Sequence, residues 1–307
     1  MSETGYHIPV LLNESISGLA IRPDGVYADL TYGGGGHSRE IIKHLTTGRL
    51  IGFDQDPAVL GRLIADDRFY FVQQNYRYLA NYLHFLEIDR VDGILADLGI
   101  SSEHIDNPER GFSFRHDAPL DMRMSPGISE SAAGLINRAD EKELARIFRE
   151  FGEVEQSGRI AWRITQARQA APIGTTGQLA ECIKPLLPGN RENKILAQIF
   201  QALRIAVNHE IESLRIMLSQ TAGLLAAGGR LVVISYHSLE DRLVKNYIRS
   251  GTPEGGVETD LFGVAHVPFK AVNRKVIVPD EQELTVNPRA RSARLRIAER
   301  TEYQVNV

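Results

Sequence analysis

Cysteine is almost absent from these 307 residues: Cys182 stands alone, which excludes an intrachain disulfide and any zinc cluster built from cysteines. Long apolar runs are missing too, and nothing approaches the roughly 20 residues that a membrane helix needs. Residues 1–20 hold no basic leader followed by an apolar stretch and a small-residue cleavage site, so a cytoplasmic protein is expected. Positive charge is not in excess. The formal net charge of −4 argues against indiscriminate nucleic-acid binding, although it leaves room for a local basic face. No internal repeat or low-complexity tract interrupts the chain. What is present, 43% hydrophobic and 24% charged residues, suits a globular protein with one large α/β domain carrying an insertion, or with two domains.

Four consecutive glycines, Gly33 to Gly36, sit in Asp29-Leu-Thr-Tyr-Gly-Gly-Gly-Gly-His37-Ser38, between a strand-like run, 25–30, and a helix-like run, 39–45. Glycines leave backbone N–H groups unshielded and permit positive φ, so the chain can pass close beneath a bound small molecule. A second strand-like run, 49–53, ends on Asp54, about 20 residues beyond the glycines, where a carboxylate can accept both hydroxyls of a ribose. Asp56-Pro57 then supplies an N-cap and a first-turn proline. His37 stands where a dinucleotide fold usually wants another glycine, which counts against NAD and FAD and favours S-adenosylmethionine.

Strand patterns at 25–30, 50–54, 69–73 and 91–98 alternate with helical ones, which predicts a parallel, doubly wound sheet. The alternation stops at 103–127, read as an ordered loop without a period. Helices are expected at 140–151, opened by Asp140-x-x-Glu143, at 156–171 and at 176–187, together forming an inserted helical subdomain. One longer helical region spans 193–227 and closes at Gly228-Gly229. A buried strand follows at 230–236, and Ser238-Leu-Glu-Asp241 caps another helix. Residues 251–263 read as a flexible loop, and 272–278 with 294–298 as two final strands pairing as an antiparallel edge.

Ligands of open parallel sheets sit beyond the carboxyl ends of the strands. Asp97 ends the fourth strand in Asp97-Leu-Gly-Ile-Ser101-Ser102 and is a candidate for holding an N–H of an exocyclic amine, or else it caps a turn or contacts only the cofactor. Ser101 and Ser102 read equally well as turn residues. His237 ends the fifth strand and is a candidate proton acceptor or a structural histidine. Tyr236, Phe112 and Phe114 are candidate stacking rings for an unpaired base, or core residues. Arg110, Arg115 and Arg123 interleave with Phe112, Phe114 and Met122 as phosphate contacts would, although Arg123 also has Asp121 beside it. Arg289, Arg291, Arg294, Arg296 and Arg300 outnumber the nearby Glu299, and Lys270, Arg274 and Lys275 lie upstream; this stretch is the candidate basic face.

These motifs together resemble the cytidine N4-methyltransferases of bacterial 16S rRNA, the small-subunit methyltransferase H family. The likeness spans nearly the whole chain: His7-Ile-Pro-Val-Leu-Leu-Asn-Glu14, Gly35-Gly-His-Ser38, Asp97-Leu-Gly-Ile-Ser-Ser102, Arg110-Gly-Phe-Ser-Phe114, Pro119-Leu-Asp-Met-Arg-Met124, Phe200-Gln-Ala-Leu-Arg-Ile205, Tyr236-His-Ser-Leu-Glu-Asp-Arg242 and Asn287-Pro-Arg-Ala-Arg291. The resemblance implies a Rossmann-like, class I S-adenosylmethionine-dependent methyltransferase sheet interrupted by an all-helical subdomain. Residues 1–104 and 209–307 would form the core and 105–208 the substrate-recognition insert. It further implies cofactor contacts at Gly35, Gly36, His37, Asp54, Tyr76, Asp97 and His104, where Tyr76 and His104 replace a frequent Phe and Gln of the family. Segment 193–198 lacks the family's frequent His-Pro-Ala-Thr pattern. The implied partner is 16S rRNA within the small ribosomal subunit, in the decoding region. No metal and no membrane are implied, and the oligomeric state is left open.

Overall fold

The computed structural model describes residues 9–256 and 267–302. His7 and Ile8 of the N-terminal motif, and most of the loop expected at 251–263, lie outside the described residues. The chain divides into two compact units, one made of 1–99 and 211–307 and the other of 100–210.

The first unit begins with α1 (Leu12–Leu19), β1 (Val26–Asp29), α2 (Gly36–His44), β2 (Arg49–Phe53), β3 (Phe69–Val72), α3 (Leu79–Phe85) and β4 (Val91–Asp97). The chain then runs through the second unit, with α4 (Ser102–Asp106), α5 (Ala132–Arg138), α6 (Glu141–Gly152), α7 (Ser157–Ala170), α8 (Thr176–Ile183) and α9 (Glu192–Asn208). It returns by way of α10 (Glu210–Leu224) to β5 (Leu225–Ser235), α11 (Ser238–Ser250), β6 (Phe269–Ala271), α12 (Glu281–Val286) and β7 (Arg294–Arg300). The sheet order is β3-β2-β1-β4-β5-β7-β6. Strands β1 to β5 are parallel, and β7 pairs antiparallel with both β5 and β6.

Ile94, Leu95 and Ala96 of β4 are fully buried, as expected for a parallel strand covered on both faces. Alternate residues serve opposite layers. Ile94, Ala96, Leu231 and Val233 pack with α3, α10 and α11, whereas Leu95, Val232 and Ile234 pack with α1 and α2. Each such aliphatic side chain contributes roughly 1.5–3 kcal/mol by leaving water. The second unit has its own core, in which Leu135, Phe148, Ile164, Leu179 and Leu203 bring α5 to α9 together.

Several local expectations need correction. The helical region at 193–227 is two helices, because His209 takes a left-handed conformation (φ 51°) that ends α9. Residues 225–229 belong to β5, where Gly228 and Gly229 occupy an irregularity between the pairs Val91–Leu225 and Gly93–Arg230. The turn after Asp56 is a 3-10 helix, Pro57–Arg62, although Asp56 does cap it by accepting from Ala58 N (3.0 Å). The stretch 103–127 contains α4 and a 3-10 turn, elements too short to leave a period in the sequence. The penultimate strand is 269–271, not 272–278: Asn273 takes Ile297 N (2.8 Å) on its side chain and donates to Lys275 O (2.7 Å), which curls the chain away and leaves only a bridge at Ile277. Helix α11 is capped by His237, one residue before Ser238.

Candidate active site

Strands β1, β2, β4 and β5 end on one edge of the sheet, and the side chains gathered there come from their last residues and the turns that follow. Asp29 closes β1 and is buried, accepting the Ser38 hydroxyl at 2.6 Å and Thr31 N at 3.2 Å. Burial pushes this carboxyl up to about 6, against the pull of those two donors. Thr31 Oγ1 in turn accepts Asp97 N at 2.7 Å, joining the ends of β1 and β4.

The glycines divide by role. Gly33 (φ +52°) donates its N–H to Asp54 Oδ2 at 2.8 Å, while Asp54 Oδ1 accepts Asp56 N at 2.9 Å. Thus the loop and the acid expected to act with it are directly bonded. A Cβ on Gly34 would meet nothing within 4 Å, so this stretch of backbone faces open space that a ligand can occupy. Gly35 (φ +74°) is the N-cap of α2, and a Cβ there would lie 2.6 Å from the Tyr32 hydroxyl; one on Gly36 would lie 2.2 Å from the Pro9 ring. Gly34 thus leaves its backbone open to the surroundings, whereas Gly35 and Gly36 are required by packing within the chain.

His37 is buried in the first turn of α2. Its Nε2 lies 3.1 Å from Val10 O, an oxygen that can only accept, so Nε2 carries the proton and donates. Nδ1 then lies 4.0 Å from Asp97 Oδ2. Asp97 keeps 21% side-chain exposure, enough to be reached by a ligand. Its other oxygen accepts the Tyr236 hydroxyl at 2.8 Å. Burial is the largest influence on Asp97 and lifts it to about 7; the Tyr236 hydrogen bond opposes this, and Asp29, Glu240 and Glu283 add to it. Tyr76 opens a 3-10 turn after β3, half-buried against the sheet core. Its N-cap Asn75 donates to Gln55 at 2.9 Å, which ties the turn after β3 to the turn after β2 that holds Asp54.

His237 has a different setting from Asp97. Its buried ring caps α11, with Nδ1 3.5 Å from Glu240 N and Nε2 3.1 Å from Glu240 Oε1. The candidate proton acceptor is thus bound up with the start of a helix. Glu240, buried at the N3 position, also accepts Tyr236 N at 2.9 Å.

The remaining candidates lie in the second unit. His104 forms a capping box with Ser101 and stacks on Phe112, with ring centroids 4.7 Å apart. Arg110 lies over the other partner of that stack, 5.8 Å from the Phe112 centroid, and donates to Arg123 O at 3.0 Å. Arg123 itself grips Asp121 with two hydrogen bonds of 2.9 and 2.7 Å. The structure thus brings His104, Arg110, Phe112 and Arg123 together. Phe114 stands apart from them, edge-on to Phe200 at 5.3 Å and packed on the helical core.

Three arginines of the expected basic face, Arg294, Arg296 and Arg300, are taken up within the protein. Arg294 and Arg296 point to the same side of β7, as alternate strand residues must, and both bind Asp241 of α11, Arg296 at 2.8 and 3.0 Å. Burial raises Asp241, but the two guanidinium groups outweigh it and hold the carboxyl below its ordinary value. Arg230 pairs with Glu299 at 2.7 Å, and Arg300 is buried with its donors on the carbonyls of Ala222 and Pro268. Sequence reasoning did not single out Asp29, Thr31, Ser38 or Glu240. Asp29 was findable by the rule that selected Asp97, since it closes a strand at the ligand edge, and Thr31 follows two residues later.

The sequence profile of the MraW methylase family matches residues 4–301. A protein of Bacteroides thetaiotaomicron called ribosomal RNA small subunit methyltransferase H is 54% identical over 97% of this chain and 98% of its own length. The protein of that name from Cytophaga hutchinsonii is 50% identical over 96% of this chain and 99% of its own. The crystal structure of an rRNA methylase from Streptococcus thermophilus matches at a TM-score of 0.44 and 11% identity, covering 97% of this chain and all of its own.

Proposed function

The chain belongs to the MraW methylase family, and from that premise we propose that it transfers a methyl group from S-adenosylmethionine to the exocyclic N4 of a cytidine in the decoding region of 16S rRNA, in the small ribosomal subunit. The relatives named above are methyltransferases of small-subunit rRNA. The observation that carries the reading is Asp97: a carboxylate at the ligand edge of the sheet, fixed on one oxygen and still open to solvent.

The cradle fits the cofactor. Open space over Gly34 and the bond of Gly33 to Asp54 support this reading, in which Asp54 takes the ribose, Tyr76 the adenine, and Gly35, Gly36, His37 and Asp97 are further contacts. His104 is the remaining candidate contact. When bound, the cofactor supplies an electrophilic methyl carbon, so that an N–C bond forms as the S–C bond breaks and the amine gives up one proton. The cytosine amine is a poor nucleophile because its lone pair is delocalised, and the protein's task is to localise that pair. Asp97, accepting one N–H of the amine, draws electron density back to nitrogen and aims the lone pair. As a group held near neutrality it can also receive the proton; His237, committed to the cap of α11, is the less suited acceptor. Phe112 and Arg110, already stacked, offer a ring and a cation for a base and its phosphate, with Arg123 behind them; Phe114 belongs to the packing around Phe200.

Mass mapping of 16S rRNA from cells with and without this protein tests the reading. One cytidine should lose a methyl group on N4. A missing methyl on another atom, or none, would overturn the assignment.

A further inference from the structure

The sequence offers Tyr236 as a stacking ring, but the structure gives its hydroxyl a fixed partner. Tyr236 Oη donates to Asp97 Oδ1 at 2.8 Å, across 139 positions of sequence. The ring is held from two further directions. Its backbone N–H donates to Glu240 Oε2 at 2.9 Å. One side of the ring lies against Gly99, where a Cβ would come 3.3 Å from Tyr236 Cδ2 and where φ is +103°, a conformation that favours glycine. Asp97 is held on the backbone side by Thr31, so this acid is defined at both its main chain and one carboxylate oxygen.

We propose that Tyr236 is a positioning residue for methyl transfer, one that locks one oxygen of Asp97 and leaves the other to hold the acceptor amine. The role rests on the reading of Asp97 given above. A carboxylate rotates freely about its terminal torsion unless an oxygen is anchored, and a misaligned acceptor loses most of the benefit of proximity. The hydroxyl is suited to this work as a permanent donor: burial, reinforced by Asp97, pushes the phenol far above its ordinary value. The groups that face Asp97 are His37 from α2, Asp29 from β1, Glu240 from α11 and Glu283 from α12. Three of these four are acids that raise it, and Tyr236 is the neighbour that favours its charged form.

Tyr236→Phe tests the proposal because it keeps the ring and removes only the hydroxyl. Positioning predicts that kcat at pH 7 falls roughly tenfold with KM for small subunits unchanged. The acid limb of the kcat profile should move up by about one to two pH units, the size of one hydrogen bond to a charged acceptor. In an Asp97→Asn background the same change should add no further loss. A base-stacking role predicts the reverse, with Tyr236→Phe near wild type and Tyr236→Leu raising KM, and that pattern would overturn the proposal. Isotope-edited infrared titration of Asp97, with Asp97→Asn as the blank, separates this from the assigned reaction because it needs no methyl acceptor. An upward shift in Tyr236→Phe supports positioning even if no cytidine is methylated; an unshifted titration overturns it.

Discussion

Ser38 donates its hydroxyl proton to Asp29 across 2.6 Å inside the protein, joining the first turn of α2 to the end of β1. The carboxyl it serves is held at about 6 by burial. A folded-state value above the unfolded one means that the native state binds the extra proton. The contribution of Asp29 is therefore fully present below pH 4 and is lost as pH rises to about 6, amounting to roughly 3 kcal/mol. Asp29→Asn keeps an acceptor for Ser38 without the buried charge. Its Tm relative to wild type should climb between pH 4 and 6 and stay level above; a difference independent of pH would show that Asp29 does not titrate there.

Gly34 and Gly36 should respond oppositely to alanine. The Gly36 methyl would strike the Pro9 ring and the Gly34 methyl would enter open space. Gly36→Ala is expected to cost roughly 1–3 kcal/mol in urea unfolding, as overpacking does. Gly34→Ala should leave stability within about 0.5 kcal/mol, yet weaken S-adenosylmethionine binding in calorimetry. Equal binding by Gly34→Ala and wild type would remove this stretch from the cofactor cradle.

Asp241 is the counter-charge of β7. Asp241→Ala strips the partly buried Arg296 of its partner and is expected to cost roughly 2–3 kcal/mol, measured by denaturant unfolding. Because the folded-state carboxyl is held below its ordinary value, the wild-type contribution is present above the normal carboxylate range and fades as pH falls through the lowered one. The variant's deficit should accordingly shrink in acid. A constant deficit would assign the loss to packing alone.

Phe112 and Phe114, two residues apart in one motif, should separate by their effect on substrate. Phe114→Ala removes an edge contact on Phe200 and is expected to lower stability by roughly 2–4 kcal/mol. Phe112→Ala also gives up packing on the helical core, but because its ring lies between His104 and Arg110 it should in addition raise KM for small subunits, which Phe114→Ala should not. Steady-state kinetics beside thermal melts decides; an unchanged KM in Phe112→Ala would dismiss it as a substrate contact.

The strand and helix alternation of the first hundred residues was legible because a period of two or of 3.6 is written in neighbouring positions, and so were Asp54 and Asp97 as strand-ending acids. The long helical pattern at 193–227 misled for the same reason. Apolar spacing continues across His209, whose left-handed backbone conformation breaks the helix. The arginines of β7 looked like a surface because a count of charges along the chain contains no information about Asp241, which reaches them from another element.

By itself the sequence determined the parallel sheet, the glycine loop beside Asp54 and the line of acids at the strand ends, all products of local spacing and turn chemistry. Tertiary structure alone decided what those residues touch. It set two of the four glycines against Tyr32 and Pro9, gave Arg294 and Arg296 to Asp241, and brought Tyr236 to Asp97. The physical reason is the sheet order. β4 and β5 are adjacent strands although the whole second unit separates them in sequence, so their ends meet only after β5 has paired in register with β4.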